Sequence, residues 1–120
     1  MMIIIDTHIF LWLLNDPSRK HMEFIENTVN QIFLSSMSVA ELMIKKSIGK
    51  LDFDFDILEM VNNMGIETLD FTGIDALQLG TLPLHHKDLF DRMIISQALS
   101  NKFTMISYDR KFNFYDCQLI

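Results

Sequence analysis

The stretch Ile3-Ile4-Ile5-Asp6-Thr7-His8-Ile9-Phe10-Leu11-Trp12 decides how this chain is read. Three β-branched residues in succession suit a strand buried on both faces, as in a parallel sheet. Asp6 ends that run, and Thr7 to Leu14 is apolar on most faces, which predicts a buried helix. Strand, polar residue and helix then recur downstream. Ile32-Phe33-Leu34 reads as a second strand ending in Ser35-Ser36, and Ser38 opens a helix to about Ile48, before Gly49. Ile66 to Phe71 reads as a third strand, followed by a short helix from Thr72 to Gly80. A long helix from Asp88 to about Asn101 leads into a fourth strand, Phe103 to Ser107, and Gln118-Leu119-Ile120 is a candidate fifth.

Less regular pieces join these units. Asn15-Asp16-Pro17-Ser18 is a turn with helix-start chemistry, and Met22, Ile25 and Val29 share one face of a helix reaching about Asn30. Leu51 to Asp56 alternates, but its three acids favour an exposed loop or a short edge. Ile57 to Met64 is helical, with Gly65 as its stop. Leu82-Pro83 breaks the chain and leaves His85-His86-Lys87 in a loop. Alternating strands and helices predict an α/β fold, a three-layer α/β/α sandwich around a central parallel sheet of four to five strands. With no repeat, linker or low-complexity block, residues 1–120 read as one domain.

Composition excludes several classes. Hydrophobic residues make up 49% and charged residues 22%, the balance of a chain with a core rather than of a disordered tail. The single cysteine, Cys117, excludes an intramolecular disulfide and a multi-cysteine zinc site. No run of about 18 apolar residues is present, so no membrane span is expected. Asp6 interrupts the apolar start, no basic segment precedes it, and a cytoplasmic location is the default. The formal charge is -6, so the chain cannot hold a polyanion by bulk charge. Any action on nucleic acid needs a metal ion, a local basic patch or a partner to manage the phosphates.

In open parallel sheets, ligands bind beyond the carboxyl ends of the strands. Asp6 follows the first strand directly, and Asp109 lies two residues past Ser107. Glu41 falls in the first turn after the second strand, and Asp88 and Asp91 open the helix that leads into the fourth. Clustered carboxylates repel, and a divalent cation makes such a cluster tolerable. Oxygen-only donors suit Mg²⁺ or Mn²⁺ better than zinc. Each acid also has a structural explanation. Ser38-Val39-Ala40-Glu41 matches a capping box, Asp88 could cap its helix and pair with Arg92, and Asp91 would favour the positive helix end. Asp6 differs, because it has no solvated surface to decorate. The adjacent His85 and His86 read mainly as solvated loop residues, and Lys45, Lys46, Lys50, Arg92, Arg110 and Lys111 could flank the acids or merely line a solvated face.

The segment Ile5 to Trp12 resembles the opening of PIN-domain ribonucleases, in particular the VapC toxins of prokaryotic toxin–antitoxin pairs. Ser35-Ser36-Met37-Ser38-Val39-Ala40-Glu41-Leu42 resembles their second motif, Leu82 to Ala98 their third and Ile106-Ser107-Tyr108-Asp109 their fourth. Leu89 stands where the family often has proline and Ser107 where it often has threonine; neither change touches a carboxylate. The resemblance implies an α/β/α sandwich whose acidic pocket binds Mg²⁺ or Mn²⁺ and cleaves RNA. Carried over by position, Asp6, Glu41, Asp91 and Asp109 form that pocket. Asp6 and Asp91 are the first metal ligands, Asp109 completes the set, and Glu41 orients a metal or a water. Thr7, Ser36 and Ser107 are supporting polar groups. The resemblance also implies a cognate antitoxin that blocks the pocket, and a homodimer. Two other functions compete: a phospho-acceptor receiver with Asp70 as acceptor, and an inactive PIN-like module that only binds a partner.

Overall fold

The computed structural model describes residues 1–15, 30–83 and 88–107, together with the backbone of 118–119. The expected helix through Met22, Ile25 and Val29 and the His85-His86-Lys87 loop lie outside the described residues. In chain order the elements are β1 (Met2–Ile5), α1 (Thr7–Asn15), β2 (Gln31–Ser35), α2 (Ser36–Ser47) and α3 (Ile57–Asn63). They continue with β3 (Ile66–Leu69), α4 (Gly73–Leu79), α5 (Leu89–Asn101), β4 (Thr104–Ile106) and β5 (Gln118–Leu119).

The strands form one parallel sheet in the order β3-β2-β1-β4-β5. The Ile3–Ile5 run occupies its centre. Ile4 sits opposite Phe33 of β2 and Met105 of β4, while Ile5 sits opposite Leu34 and Ile106. Because successive side chains leave opposite faces, this register builds two cores from one strand. Ile3 and Ile5 join Ile32, Leu34 and Ile66 beneath Phe10 and Leu13 of α1, Leu42 of α2 and Val61 of α3. Ile4, Phe33 and Met105 face Ile94, Ile95 and Ala98 of α5. Burial on both faces explains why β1 is apolar at consecutive positions instead of alternating. At the edge, β3 keeps only Ile66 fully buried and exposes Glu67 and Thr68. These two packed layers of helix around a parallel sheet match the expected α/β/α sandwich.

Leu51 to Asp56 is a non-strand segment, as its acids require. Its Phe53 and Phe55 rings stack at 5.0 Å and pack against the first core, while Asp56 caps α3 through Glu59 N–H. Gly65 takes φ +76°, a conformation that glycine adopts without the Cβ clash, and it directs the chain from α3 into β3. The end of α5 meets the same demand with the wrong residue. Lys102 takes φ 57°, ψ 40° there, exposed and left-handed. Lys102→Gly should therefore raise unfolding free energy by about 0.5–1 kcal/mol, measured by denaturant titration.

Candidate active site

Asp6 sits at the carboxyl end of the central strand, between the ends of β2 and β4. Its residue is 2% exposed. One carboxylate oxygen, Oδ1, accepts the Ile9 N–H at 2.7 Å, and the backbone carbonyl accepts the Phe10 N–H at 3.1 Å. Asp6 thus caps α1 and satisfies donors that every helix start leaves open. The other oxygen, Oδ2, accepts the Ser107 hydroxyl at 2.6 Å across 101 residues of sequence. The Asp6 N–H also donates to the Ile106 carbonyl at 3.3 Å. The acid is therefore buried, as expected from its setting, and it is also structurally employed.

The second motif differs from its sequence reading. Helix α2 starts at Ser36, not Ser38, because Ser35 takes the cap and accepts the Met37 N–H at 3.0 Å. Ser38 lies inside the helix, buried, and its hydroxyl accepts that of Thr7 at 2.9 Å. The expected Ser38–Glu41 capping box is therefore not formed. Ser36, expected to support the acids, instead accepts the Phe71 N–H at 3.0 Å and fastens the turn after β3.

Freed from a capping role, Glu41 lies one turn beyond Ser38 on the same face. Its residue is 6% exposed. Oε2 pairs with the Lys45 ammonium at 3.1 Å. Oε1 is buried and accepts no hydrogen bond among the described residues. A buried carboxylate oxygen without a donor is costly, and it marks a place where a cation or a bound water improves the site.

Helix α5 packs against α2. It feeds directly into β4, so its first turn stands at the edge where the strands end. That turn carries Asp88 and Asp91. Asp88 is exposed and caps the helix, its Oδ1 accepting the Asp91 N–H at 3.0 Å. The capping reading of Asp88 therefore holds, whereas its expected pairing with Arg92 is not formed among the described residues. Arg92 donates to the Pro83 carbonyl at 3.2 Å. Asp91 is half-buried. The topology thus sends Asp6, Glu41 and Asp91 to one edge of the sheet. Among the described residues no three His, Cys, Asp or Glu side chains form a metal-sized group. Asp109, Arg110 and Lys111 lie outside the described residues.

Two polar residues escaped the sequence reading. Asp75 in α4 is 2% exposed. It completes a capping box with Thr72 and accepts from Ser100 and Asn101 of α5. The Thr72-x-x-Asp75 spacing was the available signal. Gln97, fully buried, donates to the Leu69 carbonyl at 3.1 Å and joins α5 to the end of β3. No local pattern announces that contact.

Among the described residues no helix is long and apolar enough to cross a membrane. The fold is similar to that of several solved structures. One is a chain of VapBC2 from Rickettsia felis bound to a DNA fragment from its promoter, with TM-score 0.73, 20% identity and coverage of 100% of this chain and 98% of that one. DNA-bound VapBC from Salmonella typhimurium gives TM-score 0.73 at 20% identity, covering 100% and 97%. A toxin-antitoxin complex from Klebsiella pneumoniae gives 0.66 at 14%, covering 98% and 94%. At these identities the likeness concerns the fold. Comparison with curated proteins finds no match. The PIN domain family model, in contrast, matches residues 3–116, and a match over that span makes this chain a member of the PIN-domain family.

Proposed function

We propose that this chain is a metal-dependent endoribonuclease and the toxin of a toxin–antitoxin pair. The observation that carries this reading is the pairing of PIN-family membership with buried carboxylates at the carboxyl edge of the sheet, above all the unsatisfied Oε1 of Glu41. A carboxylate kept under cover with an open oxygen suits a hard cation. Asp6, Asp91 and Asp109 would hold Mg²⁺ or Mn²⁺, and Glu41 would orient it or a water. When bound, such an ion supplies an activated water and stabilises charge developing on the scissile phosphodiester.

The chain's own residues supply the positioning. Ser107 and the first turn of α1 fix the Asp6 carboxylate from two sides. The Thr7–Ser38 bond ties the start of α1 to α2 and so sets Glu41 relative to Asp6. The burial of Asp6 and Glu41 keeps bulk water from screening their charges.

The receiver alternative fits poorly. Receiver-type sheets run 2-1-3-4-5, whereas this one runs 3-2-1-4-5. Asp70, the acceptor in that reading, follows an edge strand and is exposed.

The partner in this reading is an antitoxin, in keeping with the complexes in which similar folds occur. An apolar groove between α1 and α3 offers it a seat, lined by Leu11, Leu14, Phe53, Phe55 and Met60. Exposed Asp52 and Asp54 rim that segment, so the occupant would carry apolar and basic side chains together. Ile74 and Leu77, 72% and 77% exposed on one face of α4, would suit a second copy of the chain in a homodimer. The setting would be the cytoplasm, where RNA is available.

Purified protein incubated with RNA and Mn²⁺ should cleave it internally, and excess EDTA should stop the reaction. Intact RNA in Mn²⁺, from protein with a cooperative melt, would leave only the inactive binding module. Cleavage that survives EDTA would exclude the metal.

A further inference from the structure

Glu41 and Lys45 stand four residues apart on α2, a spacing that usually yields a weak surface pair. This pair is not of that kind. The glutamate side chain is 8% exposed and the lysine side chain 39% exposed, so one partner is buried and the other reaches it from the rim. The ammonium, 3.1 Å away, meets only Oε2. Oε1 has no hydrogen-bond donor among the described residues. The buried carboxylate is therefore compensated on one oxygen by a cation on a flexible stem.

We propose, on the metal-dependent reading above, that Lys45 is a positioning residue for Glu41 and a resident counter-ion that competes with the divalent cation. In the metal-free protein it neutralises the carboxylate and fixes which oxygen remains open. When the cation or its water engages Glu41, two positive charges share one carboxylate and repel. Metal binding is weaker for it, and in return the chain tolerates a buried acid without metal. The four-carbon stem lets the ammonium withdraw to solvent without moving the helix. Lys46 has a different role, lying over the Phe53 ring at 4.5 Å, and Lys50 lies beyond the helix. Among the described residues Lys45 is therefore the member of the basic group that pairs with Glu41.

The test compares wild type, Lys45→Met and Lys45→Arg by Mn²⁺ titration calorimetry and by thermal melts with and without Mn²⁺. Lys45→Met keeps the apolar stem and removes the charge. It should bind Mn²⁺ about tenfold more tightly, since a unit charge a few ångströms from a divalent ion is worth that much even in high dielectric. It should melt lower than wild type without metal and gain more from Mn²⁺. Lys45→Arg should restore both properties. In a Glu41→Gln background, which has no buried charge to lose, Lys45→Met should leave the metal-free melt unchanged. Equal or weaker Mn²⁺ affinity in Lys45→Met overturns the counter-ion role and leaves the nuclease reading standing. Absence of Mn²⁺ uptake by the wild type overturns both. An ordinary surface pair would move neither the affinity nor the melt.

Discussion

Asp91→Asn should abolish RNA cleavage in Mn²⁺, while Asp88→Asn should retain most of it. The two acids lie three residues apart at the start of α5, and both are candidates by sequence. Their environments separate them. Asp88 is exposed and caps the helix through a hydrogen bond from the Asp91 N–H at 3.0 Å. Asparagine caps as well as aspartate, so Asp88→Asn changes little, whereas Asp88→Ala should cost about 1 kcal/mol of stability. Asp91 is half-buried at the edge that also carries Asp6 and Glu41. Asparagine there keeps shape and removes the charge a divalent ion needs. The loss should exceed the about 10–100-fold cost of removing a group that only holds a metal ligand, and roughly a thousand-fold is expected. Initial rates on one RNA at saturating Mn²⁺ measure both. An inactive Asp88→Asn beside an active Asp91→Asn would reverse the assignment of the third motif. Full activity in both would end the metal mechanism.

The central layer of the fold was readable because β1 is apolar at three successive positions. Only a strand buried on both faces needs that, and it implies helices on both sides. Helix starts were harder to place where several residues could cap. Ser35, Ser36 and Ser38 are all competent, and only Ser38 has Glu41 three residues on. The pairing of β2 with β3 runs through Ser35, opposite Leu69, so the strand ends there and the helix begins at once. A tertiary contact thereby overrules a local pattern, and Glu41 is left for other work. That Asp6 ends a strand and Asp91 opens a helix returning to one was legible from topology; Glu41, expected in the first turn of its helix, lies in the second because α2 starts at Ser36. The partners that decide the chemistry of these acids were not legible. Ser107 was named as a supporting group only by the resemblance, since nothing local links it to Asp6, and nothing local distinguishes Lys45 from Lys46. Asp109 lies outside the described residues, and its place in the pocket rests on the motif.

Asp75→Ala should produce the largest loss of stability among the acids, with no loss of chemistry. Asp75 is as buried as Asp6, each 2% exposed. Burial therefore cannot tell a structural acid from a working one; place in the fold can, since Asp6 ends the central strand while Asp75 sits in α4, packed against α5. Asp75 Oδ2 accepts the Thr72 N–H at 2.9 Å, and Oδ1 accepts from the Ser100 hydroxyl and the Asn101 amide. The Asp75 backbone carbonyl accepts the Ser96 hydroxyl as well. Both carboxylate oxygens are thus committed within the chain, in contrast to Glu41 with its open Oε1. Together these bonds lock α4 onto α5, the helix that carries Asp91. Alanine would keep the Thr72 cap but leave the Thr72 N–H without its acceptor, and would take the acceptor from half-buried Ser100 and exposed Asn101. The combined cost should be about 2–4 kcal/mol. For a chain of this size that lowers the melting temperature by roughly 10 °C. At a temperature where the variant remains folded, cleavage per folded molecule should match wild type, because Asp75 lies outside the acid group at the strand ends. Urea titration gives the stability, and RNA cleavage in Mn²⁺ gives the activity. A variant that melts like wild type but no longer cleaves would place Asp75 in the chemistry.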